Sequence, residues 1–118
     1  MSQETDIEIA LLDASNDDAI KLQKLIPSDF ILEDARDRGW GIVLRRTEPA
    51  QPLENIDENI HFLLKPLNEI SEYIRSLNGV LRVAVFHDTV NCTVVLSVTR
   101  YLDDFGLRLE LSTYPVNN

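Results

Sequence analysis

Ile56-Asp57-Glu58-Asn59-Ile60-His61-Phe62-Leu63-Leu64-Lys65-Pro66-Leu67-Asn68-Glu69-Ile70-Ser71-Glu72-Tyr73-Ile74-Arg75-Ser76-Leu77 is the stretch that decides the fold. Ile56, Ile60, Leu63, Leu67, Ile70, Ile74 and Leu77 recur at alternating steps of four and three. That spacing places them in one stripe of a helix running from about Asp57 to Leu77. Pro66 lies inside the pattern, removes a backbone donor and clashes with the preceding turn. A kink or break is therefore expected near residues 62–66. Asn78-Gly79 supplies the stop.

On both sides of this helix the period changes from helical to alternating. Upstream, Thr5–Leu12 sets Ile7 and Ile9 against Asp6 and Glu8, which reads as a half-buried strand. Asp13-Ala14-Ser15-Asn16 is turn chemistry. Ser15 or Asn16 can cap a helix whose first turn holds Asp17 and Asp18. Ile20, Leu22 and Leu25 are its expected apolar contacts, and Pro27 ends it. Residues 28–39 fit strand or helix, and Trp40–Arg46 reads as a strand opened by Gly39-Trp40-Gly41. Glu48–Asn55, with Pro49 and Pro52, reads as a loop.

Downstream, Val80–Phe86 reads as a strand, His87-Asp88-Thr89 as a turn and Cys92–Leu96 as another strand. Ser97 can cap a short helix, Val98–Phe105, closed by Gly106. Leu107, Leu109 and Leu111 alternate with Arg108, Glu110 and Ser112 in a last strand ending at Tyr114-Pro115. The expectation is a single α+β domain over residues 1–118. Its mixed or antiparallel sheet of about five strands is covered by one long and two short helices.

The formal charge is −9. In residues 1–40, ten acids face four bases, a net of −6. Such a field disfavours phosphate backbones and anionic lipid and favours a basic protein partner. Acidity also serves solubility alone. Cys92 is the only cysteine, so no internal disulfide forms, and residues 1–6 lack the pattern of a signal peptide. A cytoplasmic protein is expected.

The run Val94-Val95-Leu96-Ser97-Val98-Thr99-Arg100-Tyr101-Leu102-Asp103-Asp104-Phe105-Gly106-Leu107-Arg108-Leu109-Glu110-Leu111-Ser112-Thr113-Tyr114 resembles the closing segment of a bacterial family. It is the small domain-of-unknown-function family numbered 4279. Members end in a strand, a Ser-capped short helix, a Gly-Leu corner and an alternating strand with a late Tyr. Ile26-Pro27-Ser28, Trp40 and the long helix fit the same order. The acidic Glu33–Asp37 run departs from the pattern, which has a longer basic or aromatic loop before its Trp. The family has no established activity. Some small acidic domains like it accompany bacterial toxins as immunity proteins, and that is what the resemblance implies about function.

No residue set points to catalysis, a cofactor or a metal. His61 lies off the apolar stripe, and His87 reads as a turn residue. Cys92 sits in a Val-rich strand, where cysteine behaves as a small hydrophobe. Asp17-Asp18 and Asp103-Asp104 are sequence neighbours at helix ends rather than acid–base pairs. Trp40 fits a core-edge position or an interface anchor. Asp29, Glu33, Asp34 and Asp37 form the candidate partner-binding set, an acidic edge for a basic toxin domain. The expected function is immunity-type inhibition by protein binding, without nucleic acid or membrane. A homodimeric assembly module and a small-molecule-binding domain are the rival readings.

Overall fold

Ser15 starts the first helix by a reciprocal cap. Its hydroxyl accepts the Asp18 backbone N–H at 3.2 Å, and the Asp18 carboxylate accepts the Ser15 N–H at 2.9 Å. In the computed structural model, which describes residues 4–47, 56–87 and 99–115, this helix, α1, spans Asn16–Leu25. It follows strand β1, Glu4–Leu11, and precedes β2, Phe30–Asp34. The ambiguous segment is thus a strand, followed by a 3₁₀ turn at Arg36–Arg38. Next come β3, Ile42–Arg46, and the long helical arm from Ile56 to Arg75. Strand β4, Gly79–His87, helix α4, Thr99–Phe105, and strand β5, Arg108–Pro115, complete the described chain.

The five strands form one mixed sheet in the order β2-β3-β1-β4-β5. The β4–β5 pair is parallel and all others are antiparallel. Ile9, Leu11, Ile42, Leu44, Leu81, Val83 and Val85 project from one face into the main core. Leu22, Ile26, Ile56, Ile60, Leu63, Leu64, Leu67, Ile74 and Phe105 meet them from the helices. The fold is α+β, with helices packed on one face of the sheet, as expected.

The helical arm breaks where Pro66 requires it. Helix α2, Ile56–Leu64, passes into a 3₁₀ stretch at Lys65–Ile70 and then into α3, Ser71–Arg75. Pro66 has no N–H to give the Phe62 carbonyl four residues earlier. Arg46 of β3 fills the gap, its Nη1 donating to that carbonyl at 2.7 Å. The same guanidinium lies 3.7 Å from the centre of the Phe62 ring and donates to Asp29 at 2.7 Å. One side chain therefore ties the helix break to the sheet. Every stripe residue is buried except Ile70, which packs on the core from its margin.

The expected contacts of α1 need correction. Leu22 is buried, but Ile20 is 59% exposed and Leu25 43%. Ala19, Leu22 and Ile26, spaced three and four apart, form the inward face, and Ile20 and Leu25 fall outside that arc. His87 is the last residue of β4 rather than a turn residue. Leu109 and Leu111 alternate as expected but remain 38% and 41% exposed, because β5 ends the order of described strands. The expected strand Cys92–Leu96, with the Ser97 cap, lies outside the described residues.

Candidate functional site

Each strand places a charge on the sheet face opposite the main core, and the signs alternate across the sheet. Glu33 of β2 accepts from Arg45 of β3 at 3.0 Å. Arg45 lies 3.8 Å from Glu8 of β1. Glu8 accepts from Arg82 of β4 at 2.7 Å, and Arg82 approaches Glu110 of β5 at 3.3 Å. Arg38, from the 3₁₀ turn, extends the row by donating to Glu33 at 2.6 Å. The result is a six-residue ion ladder, Arg38–Glu33–Arg45–Glu8–Arg82–Glu110. Registers Glu8↔Arg82 and Arg82↔Glu110 put unlike charges directly opposite, the favourable cross-strand arrangement.

Trp40 covers the middle of this ladder, with the Arg82 guanidinium 3.7 Å from its ring centre. It packs on a second, smaller apolar cluster of Ala10, Ala35, Val43 and Val80. Trp40 is thus a core-edge residue. Two glycines make its position possible. Gly39, at φ 82°, ends the 3₁₀ turn, and Gly41, at φ 67°, lies so near β1 that a Cβ would sit 2.0 Å from the Leu11 carbonyl oxygen.

The structure brings the four candidate carboxylates to the β2 side of the molecule, among arginines. Asp29 is held by Arg46, and Glu33 by Arg38 and Arg45. Asp34 accepts from Nε and Nη2 of Arg36 at 2.9 and 2.6 Å, a bidentate pair. These bonds, with that from the Arg36 backbone N–H, lower the Asp34 carboxyl to about 2. Among the described residues Asp37 makes no ion pair. Three of the four carboxylates thus meet four guanidiniums, and with Asp37 counted this edge holds as many arginines as acids rather than a free acidic patch.

The remaining sequence candidates have structural tasks. Asp18 closes the α1 cap and accepts from the Tyr73 hydroxyl at 2.5 Å. Burial, then the Asp18 bond, pushes the Tyr73 phenol up to about 12. The backbone N–H of Ser15, then the Tyr73 hydroxyl, lowers the Asp18 carboxyl. The carbonyls of Asp103 and Asp104 at the end of α4 are capped by Arg75 Nη2. His61 is exposed and its Nδ1 meets the Tyr101 hydroxyl, joining α2 to α4. Cys92 lies outside the described residues. Among the described residues no group of His, Cys, Asp and Glu is arranged to hold a metal ion. No described helix is long and apolar enough to cross a membrane.

Beside the ladder, across β1, β4 and β5, lies an open hollow of about 250 Å³. The register explains it. The row Asp6–Ala84–Ser112 puts small side chains between two bulky rows. One flanking row is Glu8–Arg82–Glu110, and the other holds Phe86 and Tyr114, stacked with centroids 5.3 Å apart. Sequence reasoning missed both ladder and hollow. Their signal is a charged residue at an outward position of every strand, which becomes meaningful only with the strand order. No family model, curated protein or solved structure matches the chain.

Proposed function

We propose that this chain is a non-catalytic binding protein of the immunity type, which neutralises a basic bacterial toxin domain in the cytoplasm by direct contact. The observation that carries the reading is the ion-laddered sheet face. Its charged side chains are already fixed by one another and by Trp40. Binding through such a face orders few additional side chains, so little affinity is lost to entropy. Among the described residues, the pairs of the sheet and of α4 join six basic residues to six acids and so cancel in charge. The net charge of −9 therefore comes from acids outside these pairs, and its field accelerates encounter with a basic partner.

The test is neutralisation. The product of the reading frame beside this one is expressed in a bacterial host, with and without the chain. Growth arrest without the chain, relief with it, and a co-sedimenting complex of the two are expected. A harmless neighbour, or arrest that the chain leaves unchanged, overturns the reading. Sedimentation of the free chain as a stable dimer, with no complex, favours an assembly module instead.

A further inference from the structure

We infer that the hollow above Ala84 is a receptor for one arginine side chain of the partner; this rests on the reading of the chain as a binder of a basic protein. Size is the first argument. About 250 Å³ lies below the range of small-molecule sites, roughly 300–1,000 Å³, and suits a single long side chain. Charge is the second. Asp6, Glu8 and Glu110 line the hollow with one cation, Arg82. Arg82 is itself held by Glu8, Glu110 and Trp40, so it is not available to an incoming anion. Among the described residues Asp6 makes no ion pair, and it is exposed. The lining therefore carries two negative charges in excess of its positive one.

Shape selects between cations. The Phe86–Tyr114 stack forms an aromatic wall, and Tyr114 is 48% exposed. A planar guanidinium lies against such a ring while its edge donates two parallel hydrogen bonds to a carboxylate. Asp6 on one side and the Ser112 hydroxyl on the other are the polar ends of the same row, with Ala84 between them as the floor. An ammonium satisfies the charge but lacks the flat face. Arginine is thus preferred to lysine, and a neutral isostere is rejected.

The experiment uses the full chain and N-acetyl-arginine-N-methylamide, whose backbone carries no charge. Amide chemical shifts are followed in a two-dimensional NMR titration, with the lysine and citrulline analogues as controls. Saturable shifts at Ala84, Ser112 and Tyr114 are expected with the arginine probe, weaker ones with lysine and none with citrulline. Asp6→Asn, at an exposed position, should weaken the arginine response by roughly tenfold, the scale of one charge-assisted hydrogen bond. Ala84→Leu, which fills the floor, should abolish it, and unchanged shifts elsewhere verify that this variant folds. No shifts at these residues, an equal response to citrulline, or an unaltered response in Asp6→Asn overturns the inference. The probe requires no toxin. Arginine binding without neutralisation by the chain therefore removes the immunity reading and leaves the receptor, and neutralisation without arginine binding does the reverse.

Discussion

Replacing Arg82 by Ala tests whether the ladder is a rigid structural element or a row of solvated charges. Arg82 is the fifth of the six ladder residues and touches three groups: Glu8 at 2.7 Å, Glu110 at 3.3 Å and the Trp40 ring at 3.7 Å. An exposed pair contributes little, about 0.2–1 kcal/mol. The Glu110 contact belongs to that class, since its side chain is 41% exposed. Glu8 differs, with a side chain only 18% exposed. A hydrogen bond to a charged group in that setting is worth about 1.5–3 kcal/mol. The Trp40 stack adds about 0.5–1 kcal/mol. Because Arg45 still reaches Glu8 at 3.8 Å, the lower ends of these ranges apply. The expected loss is about 2–3 kcal/mol. Urea unfolding followed by fluorescence suits the question, because Trp40 is the only tryptophan and lies on Arg82. Arg82→Lys should recover the charge but little of the stack. In a double-mutant cycle with Glu8→Gln, a coupling near 1 kcal/mol or more is expected. A loss below about 0.5 kcal/mol, or zero coupling, would refute the rigid ladder and with it the argument from preorganisation.

Four further outcomes follow from the geometry. Gly41→Ala should destabilise by more than the ~1–2 kcal/mol of a left-handed residue, since the new Cβ also meets the Leu11 carbonyl; thermal unfolding measures it. Leu67→Ala, in the buried stripe, should cost about 2–5 kcal/mol in the same assay. The Asp34 carboxyl should titrate near 2 by carbon-detected NMR. Because its folded pKa is depressed, its contribution is present above the ordinary 3.8 and disappears as pH falls through about 2, and Arg36→Gln should move the midpoint back up. Tyr73 shows the opposite sign. Its folded pKa is raised, so its contribution is intact below 10 and is lost as pH rises through about 12, as phenolate absorbance should report.

The elements of this fold that repeat locally were legible in the sequence. The stripe from Ile56 to Leu77 predicts one face of a helical arm, and Pro66 predicts its interruption, because both signals lie within a few turns. The cap at Ser15 is equally local. Residues 30–34 were not legible as strand, since Phe30-Ile31-Leu32 carries no period long enough to separate two from 3.6. Their state is settled from a distance, by the Phe30↔Arg46 to Asp34↔Ile42 register with β3. Arg46 shows the same limit. Nothing near it in sequence reveals that it supplies the donor that Pro66 lacks.

The acidic edge shows how a charge count along the chain differs from a charge count in space. Two-thirds of the net negative charge does fall in residues 1–40, but a tally along the chain ignores bases that folding brings in from elsewhere. Arg45 and Arg46 arrive from β3 and, with Arg36 and Arg38, pair with Asp29, Glu33 and Asp34, so arginines and acids at this edge are equal in number once Asp37 is counted. What this leaves uncompensated lies elsewhere, including Asp6 at the hollow and Asp17 at the start of α1. Encounter and docking then separate. A distributed field steers a basic partner from beyond contact distance and weakens with salt. Affinity depends instead on a few side chains seated in preformed recesses. On this molecule the recess proposed for that role is the hollow above Ala84, walled by Phe86 and Tyr114 and flanked by the ladder. Reversing Glu33 and Asp34 would thus disrupt internal pairs before it altered any partner contact, whereas neutralising Asp6 breaks no ion pair among the described residues.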